Sequence, residues 1–186
     1  GWMTMNDIIA RSSNIGVVKI AQQVGRKSFY EYIRKFGFGE KSGLSLPGES
    51  AGQLKVKKNW SNLSLASISF GHEIAVTPIQ MVSALSAIAN GGNLMEPHIT
   101  KALIKNGKVV QQFKPKKIHR VISEKASLQM VEILKSVVKT GTGKKAALDR
   151  FDVAGKTGTA QKYNMETQSY SGTEYISSFI GFAPAD

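Results

Sequence analysis

No cysteine occurs among the 186 residues, which excludes a disulfide scaffold, a thiolate metal site and a cysteine nucleophile. Histidine is scarce: His72, His98 and His119 stand far apart in sequence, so no histidine-built metal centre is expected. No run of 18 apolar residues occurs, the length a bilayer-spanning helix requires. Acidic residues are missing altogether between residues 97 and 123, where seven cations stand: Lys101, Lys105, Lys108, Lys114, Lys116, Lys117 and Arg120. That stretch supplies most of the formal net charge of +12. A basic stripe attracts nucleic acid, acidic polymers or an anionic membrane surface; it is equally the solvated face of a hairpin. Its one aromatic, Phe113, makes no stacking ladder of the kind single-strand binders use, so no nucleic-acid partner is expected.

What is present is ordinary for a globular chain: 41% hydrophobic and 20% charged residues, at a length that suits one domain with a real core. The chain opens on Gly1-Trp2-Met3 and stops at Pro184-Ala185-Asp186 just after an apolar run, and both ends read as cuts through a larger protein. Trp2 and Trp60 read as packing residues.

Periodicity predicts a helix over residues 15–25, with Val17, Ile20, Ala21 and Val24 on one face, and a second over 27–36 with Phe29, Ile33 and Phe36. Residues 37–58 are rich in Gly, Ser and Lys and read as a long surface loop. The clearest helix covers residues 77–90: Thr77 is the N-cap, Pro78 the first helical residue, Gln80 the capping-box partner, and Met81, Leu85 and Ile88 its apolar face. Residues 99–113 read as a hairpin about an Asn106-Gly107 turn. Ser123 caps a helix to about Lys139, striped by Leu128, Val131, Leu134 and Val138. Residues 151–161 and 173–182 read as strands, joined by a polar connection over 162–172. Alternation puts Tyr175 and Phe179 on one face of the second strand and Ile176, Ile180 and Phe182 on the other, so both faces are expected to be covered. Helices first and strands last make the fold class α+β.

Two short motifs carry chemistry. Ser12-Ser13-Asn14 stands at the mouth of the first periodic helix, where Ser and Asn are also favoured simply as caps. Lys156-Thr157-Gly158-Thr159 lies within a strand whose two glycines, Gly155 and Gly158, weaken it but admit a ligand to the backbone. The lysine and the hydroxyls beside it suit a carboxylate. Lys139-Thr140-Gly141-Thr142 repeats the same letters, but at a helix end, where lysine and glycine are ordinary terminators; it reads as a cap. Ser136-Val137-Val138-Lys139 fits the Ser–Lys nucleophile pattern, yet its serine falls at the wrong end of its helix and is rejected. His72 and Glu73 read as a polar loop at a cleft edge, with a catalytic acid–base pair as the alternative.

Class A β-lactamases and penicillin-binding proteins share the elements S-x-x-K, S-D-N and K-T-G. Here the second stands as Ser12-Ser13-Asn14 and the third as Lys156-Thr157-Gly158. With SSNIGVVK at residues 12–19, SFGHEIAVTPIQ at 69–80 and GKTGTAQ at 155–161, the chain resembles the class B penicillin-binding proteins, the monofunctional peptidoglycan D,D-transpeptidases. The resemblance runs from about Asn6 to Pro184. It implies helices packed on an antiparallel sheet of about five strands, with residues 1–186 forming part of one transpeptidase domain that lacks the S-x-x-K segment and a closing strand and helix. It implies that Ser12 relays a proton toward a leaving group, that Asn14 holds the substrate's amide side chain, and that Lys156 supplies positive potential. Thr157 and Thr159 would bind the substrate carboxylate, the Thr159 N–H would serve an oxyanion hole, and Gly158 would let a substrate backbone lie alongside. No cofactor and no metal is implied. The implied partners are stem peptides, β-lactams and other cell-wall synthesis proteins, at the extracytoplasmic face of the bacterial inner membrane and anchored by a segment outside this chain. Only eleven residues precede Ser12 and none is the acylated serine, so this piece alone is expected to be inactive. A non-catalytic β-lactam- or wall-sensing module of the same fold is the alternative. A β-lactamase would need a water-activating carboxylate, for which no glutamate stands in a fitting context. The basic hairpin would face anionic wall polymer or lipid headgroups.

Overall fold

The computed structural model describes residues 2–44, 46–166 and 168–185. The chain starts with a helix that periodicity alone does not reveal: α1, Met5–Ala10, is under two turns long, too short for a repeating apolar stripe. Its signal is a capping box instead, with the Asp7 N–H donating to the Thr4 hydroxyl and the Thr4 N–H donating to the Asp7 carboxylate, both at 3.1 Å. Helices α2, Asn14–Val24, and α3, Arg26–Lys35, follow where expected, divided by Gly25 at φ +79°. The long connection after α3 is mostly irregular but includes β1, Gln53–Leu54, and a 3-10 turn at Lys57–Asn59. Then come α4, Ser64–Ser69, too short to show a periodic stripe, and β2, Ile74–Ala75, paired with β1.

Helix α5, Pro78–Ala89, carries the expected Thr77/Gln80 capping box. Beyond it β3, Asn93–Met95, pairs with β6, Lys117–Arg120. Between them β4, Ala102–Lys105, and β5, Lys108–Gln112, form the predicted hairpin, with Asn106 and Gly107 at φ +50° and +73°, the left-handed pair that a tight two-residue turn needs. Helix α6, Glu124–Lys139, starts at Ser123 as read. The chain closes on an antiparallel ribbon of β7, Ala154–Asn164, and β8, Ser169–Phe182.

The α+β class holds, and every strand pairing is antiparallel. In place of one five-stranded sheet, the described residues form four two-stranded ones. Most of the polar connection read over 162–172 is a continuation of both strands, β7 as far as Asn164 and β8 from Ser169. Nor are both faces of β8 covered: Tyr175, Ile176 and Phe179 are exposed.

Two apolar clusters hold the molecule together, and α5 joins them. Ala87 meets Leu94 and Val121, with Phe36 and Ile122 packed on them. Leu85 and Ile88, on the same helix, pack against Leu134, Ala154 and Ala185. Two apolar positions expected inside lie outside: Met81 and Leu128 are exposed, and Ala84 and Ser127 are the buried neighbours. Trp60 is buried, with its indole N–H donating to the Lys55 carbonyl at 2.9 Å and its ring edge-on to Tyr30. Trp2, expected to pack, is fully exposed. Gln80 is 2% exposed; besides capping α5, its amide donates to the carbonyls of Glu40 and Ala51 at 2.7 and 2.9 Å and so pins the long connection to the helix.

Candidate active site

Ser12 sits in the tight junction between α1 and α2. Its own N–H donates to the Ile9 carbonyl at 3.1 Å and the Ser13 N–H to Ile8 at 2.9 Å. This geometry forces Ser12 to φ +55°, a left-handed conformation that a non-glycine residue adopts at some cost. The capping role belongs to Ser13, whose hydroxyl accepts from the Gly16 N–H at 3.2 Å. Ser12 is thereby left free of helix duty, and Asn14 becomes the first residue of α2.

Opposite this junction runs β7. It has β8 on one edge and, among the described residues, no strand on the other. Helix α6 packs against β7 and supports it. Phe179 explains the first glycine: a Cβ at Gly155 would stand 2.4 Å from its ring and 2.8 Å from the Ile180 carbonyl. A Cβ at Gly158 would meet the Ser178 hydroxyl at 2.6 Å. Gly155 therefore answers to its neighbours on β8, whereas at Gly158 only the rotatable Ser178 hydroxyl stands in the way.

The two motifs meet. The Lys156 ammonium donates to the Ser12 hydroxyl at 2.9 Å, to the Thr157 carbonyl at 2.8 Å and to the Thr157 hydroxyl at 3.3 Å. Burial disfavours its charge and lowers its pKa from the ordinary 10.5, and among the described residues no carboxylate pairs with it. A half-buried cation without a counter-ion, ringed by hydroxyls, is suited to an incoming anion. Because the Ser12 oxygen accepts from Lys156, its own proton is available to a third group in the cleft.

Ser12, Asn14, Lys156, Thr157, Gly158 and Thr159 all line one open cleft of about 440 Å³. Phe70, His72 and Tyr175 line it as well. The His72 ring stacks on Tyr170 at 4.2 Å and 18°, with Phe70 edge-on to His72 at 5.0 Å. The Glu73 N–H donates to the Tyr170 hydroxyl at 3.2 Å. Burial pushes the Glu73 carboxyl up, but hydrogen bonds from Ser64 and Ser67 and the Lys55 ammonium outweigh it and hold the group below its ordinary value. Glu73 is thus tied to Ser64 and Lys55 behind the turn, and the turn lines the cleft edge as read.

The other lettered motifs separate. The Ser136 hydroxyl donates back to the Glu132 carbonyl at 3.1 Å and Lys139 pairs with Asp152, so the Ser136–Lys139 pattern forms no dyad. In Lys139-Thr140-Gly141-Thr142, the Thr140 and Gly141 N–H groups close α6 as expected. Thr142 does not belong to the cap: its hydroxyl lies 2.7 Å from that of Thr157. Sequence reasoning missed this contact, since it depends on where α6 stops.

The fold matches that of penicillin-binding protein transpeptidase domains. The family described as "Penicillin binding protein transpeptidase domain" matches residues 1–186, and the chain belongs to it. It is 41% identical to stage V sporulation protein D of Bacillus subtilis, over all of this chain and 29% of that protein. It is 37% identical to the probable peptidoglycan D,D-transpeptidase PbpC of Pseudomonas aeruginosa, over 98% of this chain and 30% of that protein. Among solved structures, penicillin-binding protein 3 of Mycobacterium tuberculosis superimposes at a TM-score of 0.92 with 35% identity, over 98% of this chain and 42% of that one. That protein has also been solved in complex with aztreonam and with ampicillin. The chain therefore spans less than a third of the length of these curated relatives.

Proposed function

We propose that this chain is the substrate-binding half of a serine-type peptidoglycan D,D-transpeptidase. In that reaction a serine oxygen attacks the carbonyl of the D-Ala-D-Ala bond in a stem peptide and D-Ala leaves as the free amine. The acyl group then passes from the serine to an amine on another stem. β-Lactams trap the same serine. The observation that supports this reading is the 2.9 Å contact of Lys156 with Ser12 across a cleft that also holds Asn14, Thr157 and Thr159.

The roles follow from the chemistry of each group. Lys156 and the hydroxyls of Thr157 and Thr159 receive the terminal carboxylate through charge-assisted hydrogen bonds. Ser12, its oxygen engaged by Lys156, gives its proton toward the departing amine. Asn14 holds the substrate's amide side chain, and Gly158 keeps the strand open to the substrate backbone. The Thr159 N–H stabilises the tetrahedral oxyanion, a contribution typically worth ~10²–10³ in rate. The one S-x-x-K here ends a helix and bonds elsewhere, so we assign the acylating serine to chain outside residues 1–186. We also place the working protein at the extracytoplasmic face of the inner membrane, among wall-synthesis partners.

Fluorescent penicillin tests this reading. The full-length protein should take one covalent label, Lys156→Ala should slow labelling about 10–100-fold through loss of contacts to a charged group, and residues 1–186 alone should stay unlabelled. A full-length protein that is never labelled overturns the reading. A stoichiometric adduct on residues 1–186 overturns the assignment of the nucleophile. Labelling without release of D-Ala from stem peptide would favour a sensing module.

A further inference from the structure

Helix α6 ends with unusual economy. The Thr140 N–H donates to the Ser136 carbonyl at 2.9 Å, Gly141 to Ser136 and Val137 at 3.1 Å, and Gly143 to Val137 at 2.9 Å. The cap is complete without Thr142, whose N–H turns away and donates to the Ala10 carbonyl at 3.1 Å. Gly141 makes this approach possible, because a Cβ there would stand 2.3 Å from the Ala10 oxygen and 2.9 Å from the Val137 backbone. Ala10 ends α1, two residues before Ser12. The Thr142 side chain meanwhile reaches the K-T-G strand, 2.7 Å from the Thr157 hydroxyl.

We infer that Thr142 is a positioning residue that orients the Thr157 hydroxyl for an anionic ligand, an inference that rests on the transpeptidase reading of this cleft. The argument is one of lone pairs. A hydroxyl oxygen accepts two hydrogen bonds and donates one. Thr157 already accepts from the Lys156 ammonium at 3.3 Å. The 2.7 Å contact lets either hydroxyl donate; with Thr142 as the donor, both lone pairs are filled and the Thr157 proton is left for a group in the cleft. The carboxylate then meets a donor already aimed at it. A circuit also closes: Ala10 carbonyl to Thr142 N–H, Thr142 hydroxyl to Thr157, Thr157 to Lys156, Lys156 to Ser12, and back along the chain to Ala10. The helical wall and the strand wall are thereby linked twice, by Thr142 and by the Lys156–Ser12 bond.

The test uses the full-length protein and two ligands, a penicillin with its free carboxylate and the methyl ester of the same compound. Thr142→Val keeps the side-chain shape and the N–H bond to Ala10 but removes the hydroxyl; Thr142→Ser restores it. The second-order acylation rate with the free acid should fall about 10-fold in Thr142→Val, the size of one hydrogen bond to a charged group. The rate with the ester should barely change, the melting temperature should hold, and Thr142→Ser should recover most of the loss. An unchanged rate with the acid overturns the inference. So does an equal loss with acid and ester, which would mark a merely structural role. If the unsubstituted protein is not acylated at all, the transpeptidase reading itself falls, and this inference with it.

Discussion

At Ser12 the backbone takes a left-handed conformation, φ +55°, which costs roughly 1–2 kcal/mol for a non-glycine residue. That cost turns the hydroxyl away from the helix it precedes and toward Lys156. Lys156 is the second residue whose surroundings set its chemistry. Burial holds its pKa below 10.5, so its positive charge is lost at a lower pH than that of an exposed lysine. Acylation by carboxylate-bearing β-lactams should accordingly decline on the alkaline side before pH 10.5 is reached. Lys156→Arg should move that limb upward at a reduced plateau, because guanidinium stays charged but presents a different geometry. pH–rate profiles of both proteins over about pH 7–11 check this; coincident alkaline limbs would contradict it. The identities of Ser12, Asn14 and residues 156–159 were legible because linear motifs carry them. Thr142 was not, because its letters imitate a motif while its contact depends on the stopping point of α6 and on the missing Cβ of Gly141.

Among the elements, α5 shows how local grammar and tertiary structure reinforce one another. Thr77 and Gln80 cap it reciprocally, and the Gln80 amide also binds two carbonyls of the long connection. Thr77→Ala should cost about 1 kcal/mol, a fall of roughly 2–4 °C in Tm for a chain of this size. Gln80→Leu should cost more, since the Glu40 and Ala51 carbonyls lose their donor. Thermal melts compare the two, and equal shifts would mean that the pinning contacts contribute nothing. Helices α2, α3, α5 and α6 were readable from their caps and periodicity. The short α1 and α4 were not, having too few turns to repeat. The outer half of the β7–β8 ribbon escaped for a different reason. A strand wet on both faces shows no apolar alternation, so residues 162–172 looked like a loop. The assumption that Tyr175, Ile176 and Phe179 must be covered failed there too.

Taken whole, the molecule leans on charge as well as on two small apolar clusters. Asp152, just before β7, accepts from Lys135 at 2.9 Å and Lys139 at 3.1 Å on α6, and its carbonyl accepts from the Ala185 N–H at 3.0 Å. The hydrogen bonds from Lys135 and Lys139 hold its carboxyl below the ordinary 3.8. A carboxyl depressed in the folded state contributes stability above its unfolded value, and that contribution is lost as pH falls through the lower folded value. Asp152→Asn should therefore be less stable at neutral pH, with the difference shrinking in acid. Urea midpoints at about pH 7 and about pH 3 measure it; a constant difference would refute the linkage. The α+β class was legible from the order of the elements. The pairing of β3 with β6 around the hairpin was not, because strands of three and four residues leave no pattern of their own.

The open margin of β7 has one more effect. Main-chain hydrogen bonding distinguishes the direction in which an extended guest runs, but it is nearly blind to the guest's side groups. On the proposed reading, in which a guest lies along this margin, discrimination falls to the side chains that line the cleft beside it, the Lys156 ammonium and the rings of Phe70 and His72 among them. Under that proposal, guests that share a terminus and an orientation would be accepted despite differing in the middle.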